Sequence, residues 1–118
     1  MYSQDVLFSF YRGDDFAFKI EVKDASDVAV DLTGWTVTFT MKRNLNRDDS
    51  LADLQITKEN LSDLDASNGL LVILLSSANT KTLNPGKYFF DIEVKTGSST
   101  QTVLSGVNEV IADVTRGA

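Results

Sequence analysis

From Trp35 to Arg43 the large apolar side chains fall on every second residue. Trp35, Val37, Phe39 and Met41 alternate with Thr36, Thr38, Thr40 and Lys42. Alternation this strict places every bulky group on one face of an extended strand. The β-branched threonines suit the opposite face to a strand rather than to a helix. Gly34, which closes Asp31-Leu-Thr-Gly34, marks the turn that aims the strand inward. A central strand carrying the one tryptophan of the chain reads as a packing anchor, and Trp35 is expected to be buried with Val37 and Phe39.

The same pattern recurs on both sides of this strand. Val6–Tyr11 supplies a first apolar strand, with Leu7, Phe8 and Phe10 as its bulk. After Arg12-Gly-Asp-Asp15, Phe16, Phe18, Ile20 and Val22 alternate with Ala17, Lys19, Glu21 and Lys23. Residues 44–50 read as a polar loop, 51–58 as a short edge strand and 60–69 as a second polar loop. Leu70–Leu75 is apolar throughout. Ser76–Leu83 reads as one helical turn crossing between sheets, with Ser76 or Ser77 as its cap, stopped by Asn84-Pro-Gly86. Tyr88, Phe90, Ile92 and Val94 then alternate with Lys87, Asp91, Glu93 and Lys95, Phe89 apart, and the segments 102–107 and 110–114 form the last one or two strands. Seven to eight short strands separated by turn signals, with one helical turn, predict an all-β antiparallel sandwich.

At 118 residues the chain is expected to be a single domain, 1–118. Starting at Met1 without a basic-then-apolar leader, it reads as a complete product made in the cytoplasm. It contains neither cysteine nor histidine. Disulfides, thiolate chemistry and zinc–thiolate sites are thereby excluded, and the commonest general base and metal ligand are missing. A formal charge of −6 opposes a nucleic-acid partner, which needs clustered cations, and gives no attraction to anionic membranes.

Three motifs invite a functional reading. Arg12-Gly-Asp14 is the tripeptide read by integrins, but between two apolar strands it reads better as a turn in which Gly13 takes positive φ and Asp14 bonds its own backbone. Asp63, Asp65 and Asn68 suggest a calcium loop. Counted from Asp63, however, Gly69 is seventh and Leu74 twelfth, where an EF-hand needs glycine sixth and glutamate twelfth. Asp48, Asp49 and Asp53 read as a solvated loop, and no buried carboxylate pair is marked for acid–base work. The reading is therefore of a protein with no catalytic residues, no metal site, no cofactor and no small-molecule substrate.

The ordered pieces Arg12-Gly-Asp-Asp-Phe16, Val30-Asp-Leu-Thr-Gly-Trp-Thr-Val37, Asn68-Gly69, Leu83-Asn-Pro-Gly-Lys-Tyr88, Asp91-Ile-Glu-Val94 and Asp113-Val-Thr115 span nearly the whole chain. Together they resemble the immunoglobulin-like domain at the N-terminus of phage upper-baseplate proteins, which also occurs as small stand-alone phage structural proteins. The resemblance implies an immunoglobulin-like β-sandwich and an adaptor role in the virion, in tail or baseplate, among other virion proteins and further copies of itself. A capsid-surface decoration or head-fibre role is an alternative within that setting. The chain departs from the family after Gly69, where its relatives alternate with threonine and this strand does not.

A sugar-binding sandwich is the second reading, because Phe89, Tyr2 and Tyr11 are aromatic residues left over from the inward parity. It is distinguished by whether Phe89 and Tyr11 share a solvent-facing groove. The continuous apolar run yields a further expectation. By parity Leu71, Ile73 and Leu75 point inward, whereas Leu70, Val72 and Leu74 point outward. Such a stripe is unusual on a wet surface. Leu70, Val72 and Leu74 are therefore expected to form an assembly surface, with Phe89 as a second contact. The competing expectation is that the 44–50 loop, or the strand after it, folds over the stripe within the same chain.

Overall fold

The computed structural model describes residues 6–44, 53–59, 67–97 and 99–113. Seven strands follow in order: β1 (Val6–Tyr11), β2 (Phe16–Glu21), β3 (Thr36–Lys42), β4 (Leu54–Lys58), β5 (Leu70–Leu75), β6 (Gly86–Thr96) and β7 (Ser99–Ile111), with a single-turn helix, Ser77–Thr80, between β5 and β6. They form two sheets, a five-stranded one in the order β1-β7-β6-β3-β4 and a two-stranded ribbon of β2 and β5. The fold is an all-β sandwich, as the alternation requires.

The inner faces are the ones the sequence pattern selects. Val37, Phe39 and Met41 of β3 are buried, as are Tyr88, Phe90, Ile92 and Val94 of β6 and Leu71, Ile73 and Leu75 of β5. Leu32, from the turn before β3, and Leu83, from the crossing before β6, are fully buried apolar groups of the same core. One open side is closed by aromatic rings. Phe16 of the ribbon stacks on Phe8 at 5.5 Å and on Phe10 at 5.2 Å, and Phe8 meets Phe90 edge-on at 5.0 Å. Such pairs add to the burial of their area.

Two expectations need correction. The sandwich is not wholly antiparallel, because β1 runs parallel to β7 from Val6 beside Val107 to Tyr11 beside Ile111. Trp35 precedes β3 and is only half-buried, packed against the core alongside Ile20. Its backbone N–H is committed to the turn, donating to the Leu32 carbonyl at 3.0 Å. The Phe18 side chain lies outside the described set, although its backbone pairs with Ile73. Of the one or two strands expected at the end the structure has one, of 13 residues, which keeps its pairing to β6 across a register irregularity at Ile92/Glu93.

Gly69 shows how closely the backbones approach where the ribbon ends. It sits at φ +79, and a methyl group there would lie 2.8 Å from the Val22 carbonyl oxygen and 3.0 Å from that of Val30. The Val22 N–H donates to the Gly69 carbonyl at 2.7 Å, and the Val30 N–H donates to the Val22 carbonyl at 3.0 Å. Only glycine has both the backbone freedom and the missing side chain that this junction needs.

Candidate interaction surface

The register of β2 and β5 defines the outer face of the ribbon. Ala17 stands opposite Leu74, Lys19 opposite Val72 and Glu21 opposite Leu70. Leu70 and Val72 are half-buried and Leu74 is 60% exposed, whereas Leu71, Ile73 and Leu75 are buried. Leu74 is thus a large aliphatic group in water on a strand whose other face is core. The strand after the 44–50 loop does not cover it: β4 lies at the far edge of the five-stranded sheet, paired with β3. Residues 45–50 lie outside the described set.

Phe89 belongs elsewhere. Its neighbours Tyr88 and Phe90 face the core, so Phe89 faces outward from the five-stranded sheet, half-buried, opposite Val107 on one side and Lys42 on the other. Phe89, expected as a second contact, and the Leu70/Val72/Leu74 stripe therefore lie on opposite faces of the sandwich. Tyr11 shares the outer face of Phe89, being opposite Ile111. Two strands and four residues separate them, about 16 Å at the usual sheet spacings. They do not line a common groove, and nothing in their placement favours sugar binding.

Arg12-Gly-Asp-Asp15 is not a displayed hairpin. β1 and β2 lie in different sheets, so this loop crosses between them, as the Ser77–Thr80 turn does between β5 and β6. The two crossings are bonded together. The buried Thr80 hydroxyl donates to the Asp14 carbonyl at 2.8 Å and accepts from the Gly13 N–H at 3.0 Å. Arg12 donates through Nε to the Leu83 carbonyl at 3.1 Å and pairs with Asp113 at 3.5 Å. The Asp15 carboxylate accepts from the Ser77 N–H at 2.6 Å. Ser76 is the cap of the turn, its hydroxyl accepting from the Asn79 N–H while Asn79 Oδ1 accepts from the Ser76 N–H. Gly13 has the expected positive φ, at +90, but Asp14 contributes its backbone carbonyl to the junction, where the turn pattern predicts a carboxylate contact. An arginine committed in this way is not presented to a receptor.

A second corner lies at Asn84-Pro-Gly86. The Tyr88 hydroxyl, at the start of β6, donates to the Asn84 carbonyl at 2.6 Å. The Arg43 guanidinium lies over the Tyr88 ring at 4.6 Å and donates to the Asn84 and Pro85 carbonyls at 2.9 and 2.7 Å. Asp53 accepts from the Arg43 backbone N–H at 2.8 Å, which ties the start of β4 to the end of β3. Asp48, Asp49, Asp63 and Asp65 lie outside the described residues, and Asn68 is exposed in the turn before β5. Among the described residues no three acidic side chains converge as a metal site would require. None of these bonded corners is legible as such in the sequence. The glycines and the proline mark turns, but they do not reveal which turns meet.

No protein-family model matches the chain, and no curated protein matches it.

Proposed function

We propose that the chain is a non-enzymatic structural or adaptor protein of a bacteriophage virion, in the tail or baseplate, which assembles through protein–protein contacts and works without a cofactor. The immunoglobulin-like arrangement is part of this reading. β2 and β5 in one sheet against β3, β6 and β7 in the other correspond to strands B and E against C, F and G, with β4 added beside C. Trp35 stands at the head of the strand corresponding to C, near the place where antibody domains carry their tryptophan.

The observation that carries the reading is the hydrogen bond from Tyr88 to the Asn84 carbonyl. A tyrosine at the start of strand F returning its hydroxyl to the backbone a few residues upstream is the corner found in such sandwiches. Here it falls inside Leu83-Asn-Pro-Gly-Lys-Tyr88, one of the ordered motifs on which the phage resemblance rests. The outer ribbon face, with Leu74 exposed, is the surface proposed for assembly.

The test is quantitative mass spectrometry of purified particles of the phage that encodes this chain. The chain should be present at a fixed ratio to the major tail protein. Its absence from particles that retain their tails and baseplates would reject the proposal.

A further inference from the structure

We propose that the outer face of the β2–β5 ribbon is a two-fold contact between copies of this chain, in which Lys19 of one copy pairs with Glu21 of the other. This rests on the reading of the chain as an assembly component and names its partner as a second copy. Six side chains make up the centre of the face, Leu70, Val72 and Leu74 on β5 and Ala17, Lys19 and Glu21 on β2, each opposite its neighbour, with Lys23 beyond Glu21 at its end. A two-fold interface must be complementary to itself, and this grid meets that condition. An axis lying in the plane of contact, running across the strands between Lys19 and Glu21, sets Lys19 over Glu21 twice. The same axis sets Val72 over Leu70 twice and leaves Leu74 at the rim, against the stems of longer side chains.

Charge favours a copy over an unrelated partner. The chain as a whole carries −6, but on this face Lys19 is matched by Glu21, and Lys23, beside Glu21, is matched by Asp27 at 3.5 Å, so two copies meet there without local net repulsion. Both groups are accessible. Lys19 is exposed, and Glu21, although its Oε1 is 3.2 Å from Lys23 Nζ, keeps 55% of its side chain exposed. Its carboxylate has room for a second cation.

Size sets the strength. Three outward positions on each of two strands cover roughly 10 by 20 Å, well below the ~800 Å² per partner of a standard stable interface. The contact is therefore weak and concentration-dependent in free solution, and becomes effective when other contacts hold the copies together.

Sedimentation of the purified chain from micromolar to millimolar concentration tests the proposal. The wild type should associate reversibly, and less so as salt rises from low to high ionic strength. Lys19→Glu and Glu21→Lys, each checked for an unchanged melting transition, should each associate about tenfold more weakly, because like charges then face each other. An equimolar mixture of the two variants should regain association, since an acidic ribbon then meets a basic one. A wild type monomeric throughout, salt-independent association, variants that associate like the wild type, or a mixture no tighter than its parts would each overturn the proposal. The double variant Val72→Thr/Leu74→Thr separates this failure from failure of the broader reading. If it is excluded from particles although the wild type is monomeric in solution, the face binds a different virion protein and the two-fold contact is wrong.

Discussion

Asn108 is the least comfortable residue of the core. It is fully buried on β7 between Phe8 of β1 and Tyr88 of β6, and neither its side-chain nitrogen nor its oxygen meets a protein partner. An unpaired buried polar group costs about 1–3 kcal/mol. Asn108→Leu, which keeps the branched shape and heavy-atom count while removing both polar atoms, is therefore expected to stabilise the fold by about 1 kcal/mol where the core takes up its larger volume. The urea midpoint should rise without a change in slope. Asp31 makes the opposite point at the surface. Its carboxylate accepts from the Thr33 hydroxyl at 2.6 Å and from the Thr33 N–H at 3.0 Å, and these bonds hold its pKa below the ordinary value. A depressed folded pKa means that its contribution is present at neutral pH and is lost as pH falls through the folded value. In an NMR titration the Asp31 carboxyl should titrate below an ordinary aspartate, and Thr33→Val should move it back up.

The elements show what a sequence can and cannot reveal about itself. Strand parity is legible residue by residue: β5 buries Leu71, Ile73 and Leu75 and turns Leu70, Val72 and Leu74 outward, because a period of two admits only two faces. What parity does not carry is which sheet a strand joins. The sequence therefore does not tell whether Phe89 adjoins Leu74, and the two lie on opposite faces; nor does it tell that Arg12-Gly-Asp-Asp15 crosses between sheets. The fastening of that crossing to the Ser77–Thr80 turn joins Gly13 to Thr80, 67 positions apart, and no local pattern announces such a bond. It can be broken selectively. Thr80→Val keeps the shape and β-branching but leaves the Gly13 N–H and the Asp14 carbonyl without the hydroxyl. The variant should lose about 1–3 kcal/mol in chemical denaturation, and the Gly13 amide should exchange with solvent faster than in the wild type.

At the scale of the whole molecule, the pairing of the first strand with the last has a mechanical consequence. β1 and β7 are neighbours and parallel, so a force that draws the N-terminal end of β1 away from the C-terminal end of β7 slides the two strands along each other. The ladder between them is then strained along its whole length, and its bonds must yield together. In an antiparallel terminal pair pulled from adjacent ends, the bonds would instead break in succession, as in a zipper. Forced unfolding is governed by the barrier rather than by equilibrium stability, so this geometry gives resistance to tension beyond what the modest size of the domain suggests. Single-molecule stretching between the termini should show an abrupt high-force rupture. Attachment points moved to the adjacent open ends of the β6–β7 hairpin should lower that force, because those bonds open in sequence.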